Sequence, residues 1–303
     1  TEQIQEGIYP GASLALYRNG QWSEHYLGLA DPEKGEPVEA DLVYDLASVS
    51  KVVGVATICA FLYAKGELAL DRPFKEVYPR FVHEKTTIRE LLTHTSGLDP
   101  FIPNRDHLDA RQLKTALENL QLKEDKSFHY TDVNFLLLGF WLEDRFHQPL
   151  DRLFDELIFT PWKMTETRFG PVEKAVPTVR GVASGSVHDP KARVLGCHAG
   201  SAGLFSTVAD LERFLEHYLK DDFARDLSQN FAREEGKTRA LGWNLEGDWL
   251  DHTGYTGTFI MYNRKRQEAV IFLSNRTYEK DERAQWILDR NSLMDLIKQE
   301  YEK

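Results

Sequence analysis

Only two of the 303 residues are cysteine and only three are methionine. Cys59 and Cys197 stand in neither a CxxC nor a zinc-finger spacing, which argues against a disulfide framework and a cysteine-based metal site. His188 lies near Cys197-His198 in sequence, but the three do not form a zinc pattern. There is no HExxH, and Gly196, Gly200 and Gly203 are not spaced as GxGxxG, so neither a metal nor a cofactor is expected. The absence of a GxSxG elbow removes the α/β-hydrolase reading at its first requirement. Basic residues number 37 against 48 acidic ones, for a net charge of -11, and no Lys/Arg-rich run offsets the excess. Nucleic acid and anionic membranes are therefore not expected partners, and a small metabolite or peptide substrate fits better.

Other absences bear on organisation and location. Nothing repeats at a solenoid period and no low-complexity linker divides the chain. No apolar run is read as long enough to cross a bilayer. Residues 1–10, TEQIQEGIYP, lack the basic and apolar regions of a secretory leader, so the expected compartment is cytoplasmic. The chain begins with Thr, and a segment removed by processing would lift that inference. Oligomeric state is not legible.

The patterning that is present reads as strands at both ends and helices between. Ala12–Arg18 and Trp22–Gly28 flank Asn19-Gly20, a type I′ hairpin signal. From Ser48 to Lys65 apolar residues cover nearly every side of a helix, the mark of a buried core helix, with Gly66 as its stop. Cys59 sits in that stretch as a small buried hydrophobe. Further helices are expected at Thr87–Leu92, Arg111–Leu120, Asn134–Phe146, Leu150–Ile158, Thr207–Leu219 and Asp281–Tyr301. Thr207-x-x-Asp210 reads as a capping box. Strands return at Ala240–Leu245, Thr258–Tyr262 and Glu268–Ser274, with Asn263–Gln267 as a hairpin loop. The fold class is α+β, with one antiparallel sheet built from both termini. Residues 1–75 and 236–303 would form the sheet region and 76–235 a mostly helical region, with the active site between them.

Ser48-Val49-Ser50-Lys51 is the single SxxK tetrad, and one such match is expected by chance in a chain this long. Its position at the start of the buried helix makes it informative, because Lys51 lies on the same face as Ser48. On one reading Ser48 is a plain N-cap and Lys51 reaches back to solvent. On the other, the helix N-terminus places positive potential at Ser48, burial lowers the pKa of Lys51 from about 10.4, and Lys51 takes the serine proton. Tyr130-Thr131-Asp132 precedes a helix, and His252-Thr253-Gly254 precedes a strand. Taken singly, Tyr130 reads as a core aromatic and His252 as a surface strand residue. His94, in Thr93-His-Thr-Ser-Gly97, reads as the residue that holds a turn.

SxxK, then a Tyr-x-Asn-like triplet, then a His-Thr-Gly triplet, in that order, resembles the serine β-lactamase and penicillin-binding-protein superfamily. The likeness is strongest to its class C β-lactamase-related branch, which includes esterases and DD-peptidases. Leu91–Leu98 (LLTHTSGL), Val187–Pro190 (VHDP) and Gly200–Ser206 (GSAGLFS) support it, and it runs from about Gly7 to the final helix. The resemblance implies a β-lactamase/transpeptidase-like fold, Ser48 as the acylated nucleophile and Lys51 as its base. It implies Tyr130 as the proton shuttle and the backbone N–H groups of Ser48 and Tyr255 as the oxyanion hole. His252, Thr253 and Gly254 would line the site.

Two positions depart from the family pattern. Asp132 stands where Asn is more usual, and a carboxylate can only accept hydrogen bonds. It would favour the ammonium form of Lys51, leaving Tyr130 as the working base, or would serve only as a structural ion-pair partner. His252 stands where Lys is common. Near its reference pKa of about 6.5 it is mostly neutral at pH 7, which weakens β-lactams and acyl-D-Ala-D-Ala peptides as preferred substrates.

The expected function is a serine hydrolase acting on small esters or amides. A DD-peptidase or weak β-lactamase is the alternative within the fold, and a catalytically silent binding or sensor domain the alternative outside it. Intact Ser48, Lys51, Tyr130 and His252 argue against silence. Substrate choice would rest on the loops Pro100–Asp109 and Gly181–Gly203.

Overall fold

In the computed structural model, which describes residues 1–233 and 236–303, Asn19 and Gly20 both have positive φ (+54° and +80°) and close the expected hairpin. The hairpin pairs β1 (Gly11–Arg18) with β2 (Gln21–Asp31), and β3 (Glu36–Pro37) adds to its outer edge. Two short strands, β4 (Tyr44–Asp45) and β5 (Arg168–Phe169), flank β6 (Leu204–Ser206) in a separate small sheet. The later strands are β7 (Asn244–Glu246), β8 (Trp249–Thr253), β9 (Phe259–Asn263) and β10 (Glu268–Ser274). The main sheet has seven antiparallel strands in the order β3-β2-β1-β10-β9-β8-β7, and β1 joins the two chain ends by pairing Ala12 with Ser274 and Leu16 with Val270. The sheet expected from both termini is therefore present. The boundary expected at residue 235 lies outside the described residues.

Both faces of this sheet are covered, which explains why β9 and β10 read as nearly continuous apolar runs. Phe259, Met261, Val270 and Phe272 pack with Trp286, Met294 and Ile297 of the C-terminal helix Arg283–Glu302. Their alternate neighbours Ile260, Tyr262, Ile271 and Leu273 belong to the large core on the other side. A period of two thus sends successive side chains into two different cores.

That larger core is centred on the helix Ala47–Ala64. It opens as a 3₁₀ turn, passes through one π turn over Val52–Ala56, and continues as regular α-helix from Thr57. The Thr57 hydroxyl donates to the Val52 carbonyl (2.7 Å) and so accepts from Tyr218, whose oxygen lies 2.7 Å away. Val52, Val53, Val55, Ile58 and Cys59 have no exposed surface. Each large aliphatic buried in this way contributes about 1.5–3 kcal/mol. One sequence expectation needs correction here: these 18 residues, with mean hydropathy 1.6, are long and apolar enough to cross a membrane. They are 78% buried inside the fold, because the strands and helices around them supply the apolar surroundings.

Other differences are local. The strand expected at 240–245 is confined to Asn244–Glu246, and β8, which carries His252, was not anticipated. Its alternation is masked because Asp251 and His252 are polar yet buried. Only half of the capping box at Thr207 forms. The Thr207 hydroxyl accepts from the Asp210 N–H (3.2 Å), but the Asp210 carboxylate turns to the Glu166 N–H and the Thr167 hydroxyl (both 2.8 Å). The helix expected over 150–158 is α-helical for Leu150–Phe154 and ends in a π turn, Asp155–Phe159.

Gly54 shows how tightly the central helix is packed. A Cβ there would lie 2.3 Å from Cε2 of Phe154. Gly54→Ala is expected to destabilise the protein by about 1–3 kcal/mol through overpacking. Urea denaturation should show a lower midpoint with an unchanged slope.

Candidate active site

Ser48 lies in the first turn of the central helix, directly after Ala47, whose φ of +45° is unusual for a residue with a Cβ. A buried carboxylate holds this bend. Asp45 Oδ1 accepts from the Ala47 N–H and Oδ2 from the His188 N–H, both at 2.8 Å. Burial pushes the Asp45 carboxyl up to about 6, against the opposing pull of those two donors. Asp45 thereby ties the Ser48 turn to the Val187–Pro190 segment.

Lys51 shares the face of Ser48, as the i, i+3 spacing requires, and is fully buried. Its Nζ donates to Ser48 Oγ (2.9 Å), Asp132 Oδ1 (2.7 Å) and the Ser201 carbonyl (2.9 Å). An ammonium has three N–H bonds, and here each has an acceptor. Burial alone would lower the pKa of Lys51, but the Asp132 carboxylate, with Tyr130 adding to it, outweighs burial and holds it above the ordinary 10.5. The expectation that burial would lower this pKa is therefore corrected, and the ammonium form favoured by Asp132 is the one the geometry supports. Asp132 shows the converse balance. Burial raises its carboxyl, yet Lys51 and Lys191 together hold it well below the usual carboxylate range. Lys191 Nζ lies 3.1 Å from Asp132 Oδ2, so the carboxylate is clamped between two lysines.

Tyr130 and Asp132 reach Ser48 because their segment is fastened to the turn at His94. His94 is buried, adopts φ +58° and closes the helix Ile88–Thr93. Its Nδ1 faces the Thr131 N–H (3.3 Å) and Asn134 Nδ2 (3.0 Å), while Asn134 Oδ1 accepts from the Ser96 hydroxyl (2.7 Å). Nδ1 is thus an acceptor, and burial holds the ring neutral, far below its ordinary value. The turn-holding role read from sequence agrees with this geometry. Tyr130 projects beyond the turn, with Lys51 Nζ 5.1 Å from its ring centroid and the His252 ring 6.0 Å away.

The His-Thr-Gly triplet spans the end of β8 and the turn into β9. Thr256 and Thr258 stitch that turn to the strand before Ser48, donating to the carbonyls of Asp45 (2.9 Å) and Leu46 (3.1 Å). Only glycine fits at 254, where a Cβ would lie 2.1 Å from Thr258 Oγ1. The Gly254 carbonyl accepts from the Gly257 N–H (3.2 Å), which turns the opposite side of that peptide, the Tyr255 N–H, the other way. Among the described residues, neither the Ser48 nor the Tyr255 N–H has a backbone partner. His252 is buried and neutral. Desolvation, then the charges of Lys51 and Arg239, hold its pKa far below the ordinary value. With Nδ1 facing the Thr253 carbonyl (3.1 Å), its Nε2 has no partner among the described residues.

Ser48, Tyr130, Asp132, His252, Thr253, Gly254 and Tyr255 line one cavity of about 730 Å³, and Lys51 lies behind Ser48. Every site residue expected from sequence is therefore brought to one place. Sequence reasoning missed Asp45, Lys191 and the Ser201 carbonyl. It also missed a cationic wall. Lys237 and Arg290 line the cavity, Arg290 donates to Thr253 Oγ1 (3.1 Å), and buried Arg239 lies 5.2 Å from the Phe128 ring. A readable signal for Lys191 was the Asp189-Pro190 helix start that precedes it, with Asp189 accepting from the Ala192 N–H (2.8 Å).

The Lys51–Asp132 pair sets a pH dependence. Because the Asp132 pKa is depressed on folding, its contribution to stability is fully present above about pH 4 and is lost as pH falls towards its folded value. The raised Lys51 contributes below about pH 10.4 and fades above it. Asp132→Asn is expected to lower stability at pH 7 by about 1–3 kcal/mol. The gap from wild type should close below pH 4, as read by thermal melts across pH.

Comparison with known proteins gives the family and the fold. Residues 1–293 match the family model described as Beta-lactamase. The chain is 27% identical to an Escherichia coli K12 protein named "Putative D-alanyl-D-alanine carboxypeptidase", over 92% of this chain and 81% of that one. Among solved structures, a beta-lactamase/D-alanine carboxypeptidase from Pseudomonas syringae superposes with a TM-score of 0.76 at 21% identity, covering 94% of both chains. EstCE1, a hydrolase with promiscuous acyltransferase activity, superposes at 0.73 and 19% identity over 92% of both. The chain belongs to the Beta-lactamase family and is a serine hydrolase of that family.

Proposed function

We propose that Ser48 forms an acyl-enzyme with small esters or amides. The observation that carries this reading is the 2.9 Å hydrogen bond from the fully buried Lys51 to Ser48 Oγ, at the wall of the 730 Å³ cavity. Because all three Lys51 protons are engaged, Lys51 acts as a fixed positive charge that favours the developing alkoxide. Tyr130 in its phenolate form takes the serine proton, and the resulting phenol gives that proton to the leaving group, which regenerates the phenolate. The N–H groups of Ser48 and Tyr255 receive the oxyanion, a contribution of about 3 kcal/mol per donor. His252, neutral with a free Nε2, offers the substrate an acceptor in place of a charge.

A second reading is favoured by the cationic wall. Among the described residues, Arg239 and Arg290 have no carboxylate partner, in a protein whose net charge is -11. Positive charge beside Thr253 suits a substrate ending in a free carboxylate, as in acyl-D-Ala-D-Ala peptides. The name of the Escherichia coli relative, a D-alanyl-D-alanine carboxypeptidase, points the same way.

Intact-protein mass spectrometry after incubation with p-nitrophenyl acetate, a fluorophosphonate and a penicillin tests the proposal. The expected result is one adduct on the wild type, absent in Ser48→Ala. No adduct with any reagent would replace the catalytic reading with a silent binding domain. Arg290→Ala separates the two substrate readings. It should raise KM for an acyl-D-Ala-D-Ala peptide roughly tenfold and leave a neutral ester nearly unchanged.

A further inference from the structure

Lys191 follows Asp189-Pro190 in the short helix Pro190–Leu195, and its side chain is 13% exposed at the cavity wall. It reaches Asp132 Oδ2 at 3.1 Å, while Oδ1 of the same carboxylate holds Lys51 at 2.7 Å. A carboxylate with only one cation can rotate about its terminal bond or swing towards solvent. With a cation on each oxygen, both oxygens are fixed. Lys191 is in turn steadied by Asp189, whose Oδ2 lies 3.6 Å away.

We propose that Lys191 is a positioning residue for the Ser48 centre: by holding Asp132 Oδ2 it keeps Oδ1 on Lys51, and so keeps Lys51 on Ser48. The proposal rests on the Ser48 acyl-enzyme reading and adds to it a residue outside the three motifs. Lys191 need not touch the substrate for this role, and its charge also enters the electrostatic balance around the proton-accepting group. Tyr130 and His94 face the Lys51–Asp132 pair from the His94 turn and His252 from the β8 side, and the Arg239 charge acts in turn on His94 and His252. Lys191 and Asp189 face it from the Pro190–Leu195 side. Removing Lys191 takes one positive charge from this set and leaves the Asp132 carboxylate with Lys51 as its one lysine partner.

The test uses the full chain and p-nitrophenyl acetate, a neutral ester that offers Lys191 no anion to bind. Lys191→Met is expected to lower kcat roughly tenfold with little change in KM, and to move the ascending limb of the pH–rate profile to higher pH. Lys191→Arg should restore most of the rate. In an Asp132→Asn background the same change should have no further effect, because the residue through which Lys191 acts is gone. If Lys191→Met does not fold, Lys191→Gln removes the same charge and should show the same shift. An unshifted profile, an effect confined to KM, or full additivity with Asp132→Asn would overturn the proposal. Fluorophosphonate labelling of the wild type distinguishes the two levels. A labelled wild type with an indifferent Lys191 variant overturns this inference alone, whereas an unlabelled wild type overturns the acyl-enzyme reading and this inference with it.

Discussion

An ammonium group sits at the centre of this protein with no access to water, and its surroundings are arranged around that fact. Transferring an unpaired lysine into such a place costs several kcal/mol. Lys51 remains charged because three acceptors meet at its Nζ, one local and two distant in sequence: Ser48 one turn away, Asp132 before the helix Val133–Phe146, and the Ser201 carbonyl. If any of these segments moved, a buried proton would lose its acceptor. The charge therefore holds the Ser48 turn, the Tyr130 segment and the Gly200–Ser206 loop in register with one another.

The rest of the site is fastened outward from that point by polar contacts that are themselves buried. Asp45 holds the bend before Ser48 and the segment that leads to Lys191. The neutral His94 ring, together with Asn134 and Ser96, anchors the Tyr130 segment. Thr256 and Thr258 bind the β8–β9 turn to the same strand end. A network of this kind is costly to leave half satisfied, so it favours one arrangement of the cavity wall over near alternatives. The two hydrophobic cores on either face of the main sheet supply the rigid frame. The polar network decides where, relative to that frame, Ser48, Tyr130 and the Tyr255 N–H come to lie.

Much of this is legible in the amino-acid order alone. The Asn19-Gly20 turn, the apolar sides of the central helix and the apolar runs of β9 and β10 are local patterns, and local physics is enough to read them. Ser48, Lys51, Tyr130 and His252 stand out because their order along the chain resembles a known family. What escapes such a reading has a common cause. β8 is hidden because Asp251 and His252 are polar yet buried, so hydrophobic alternation does not mark the strand. Lys191, Asp45 and Arg239 are single charged residues in ordinary sequence contexts, and only their neighbours in space give them meaning. The stretch 47–64 is read correctly as a core helix from its all-round apolar pattern, but its length and hydropathy also satisfy the test for a membrane span, and only the surrounding fold shows what buries it.

The sequence by itself determined most of the helices, the two-ended antiparallel sheet and the placing of Ser48 and Lys51 on one helix face, because helix periodicity, turn chemistry and a three-residue spacing act over short range. Only the tertiary structure decided the protonation of that lysine. Its pKa depends on the balance between burial and the Asp132 carboxylate, 81 positions away in sequence and 2.7 Å away in space. Electrostatic energy depends on distance through space and on exclusion of water, and neither is set until the chain has packed.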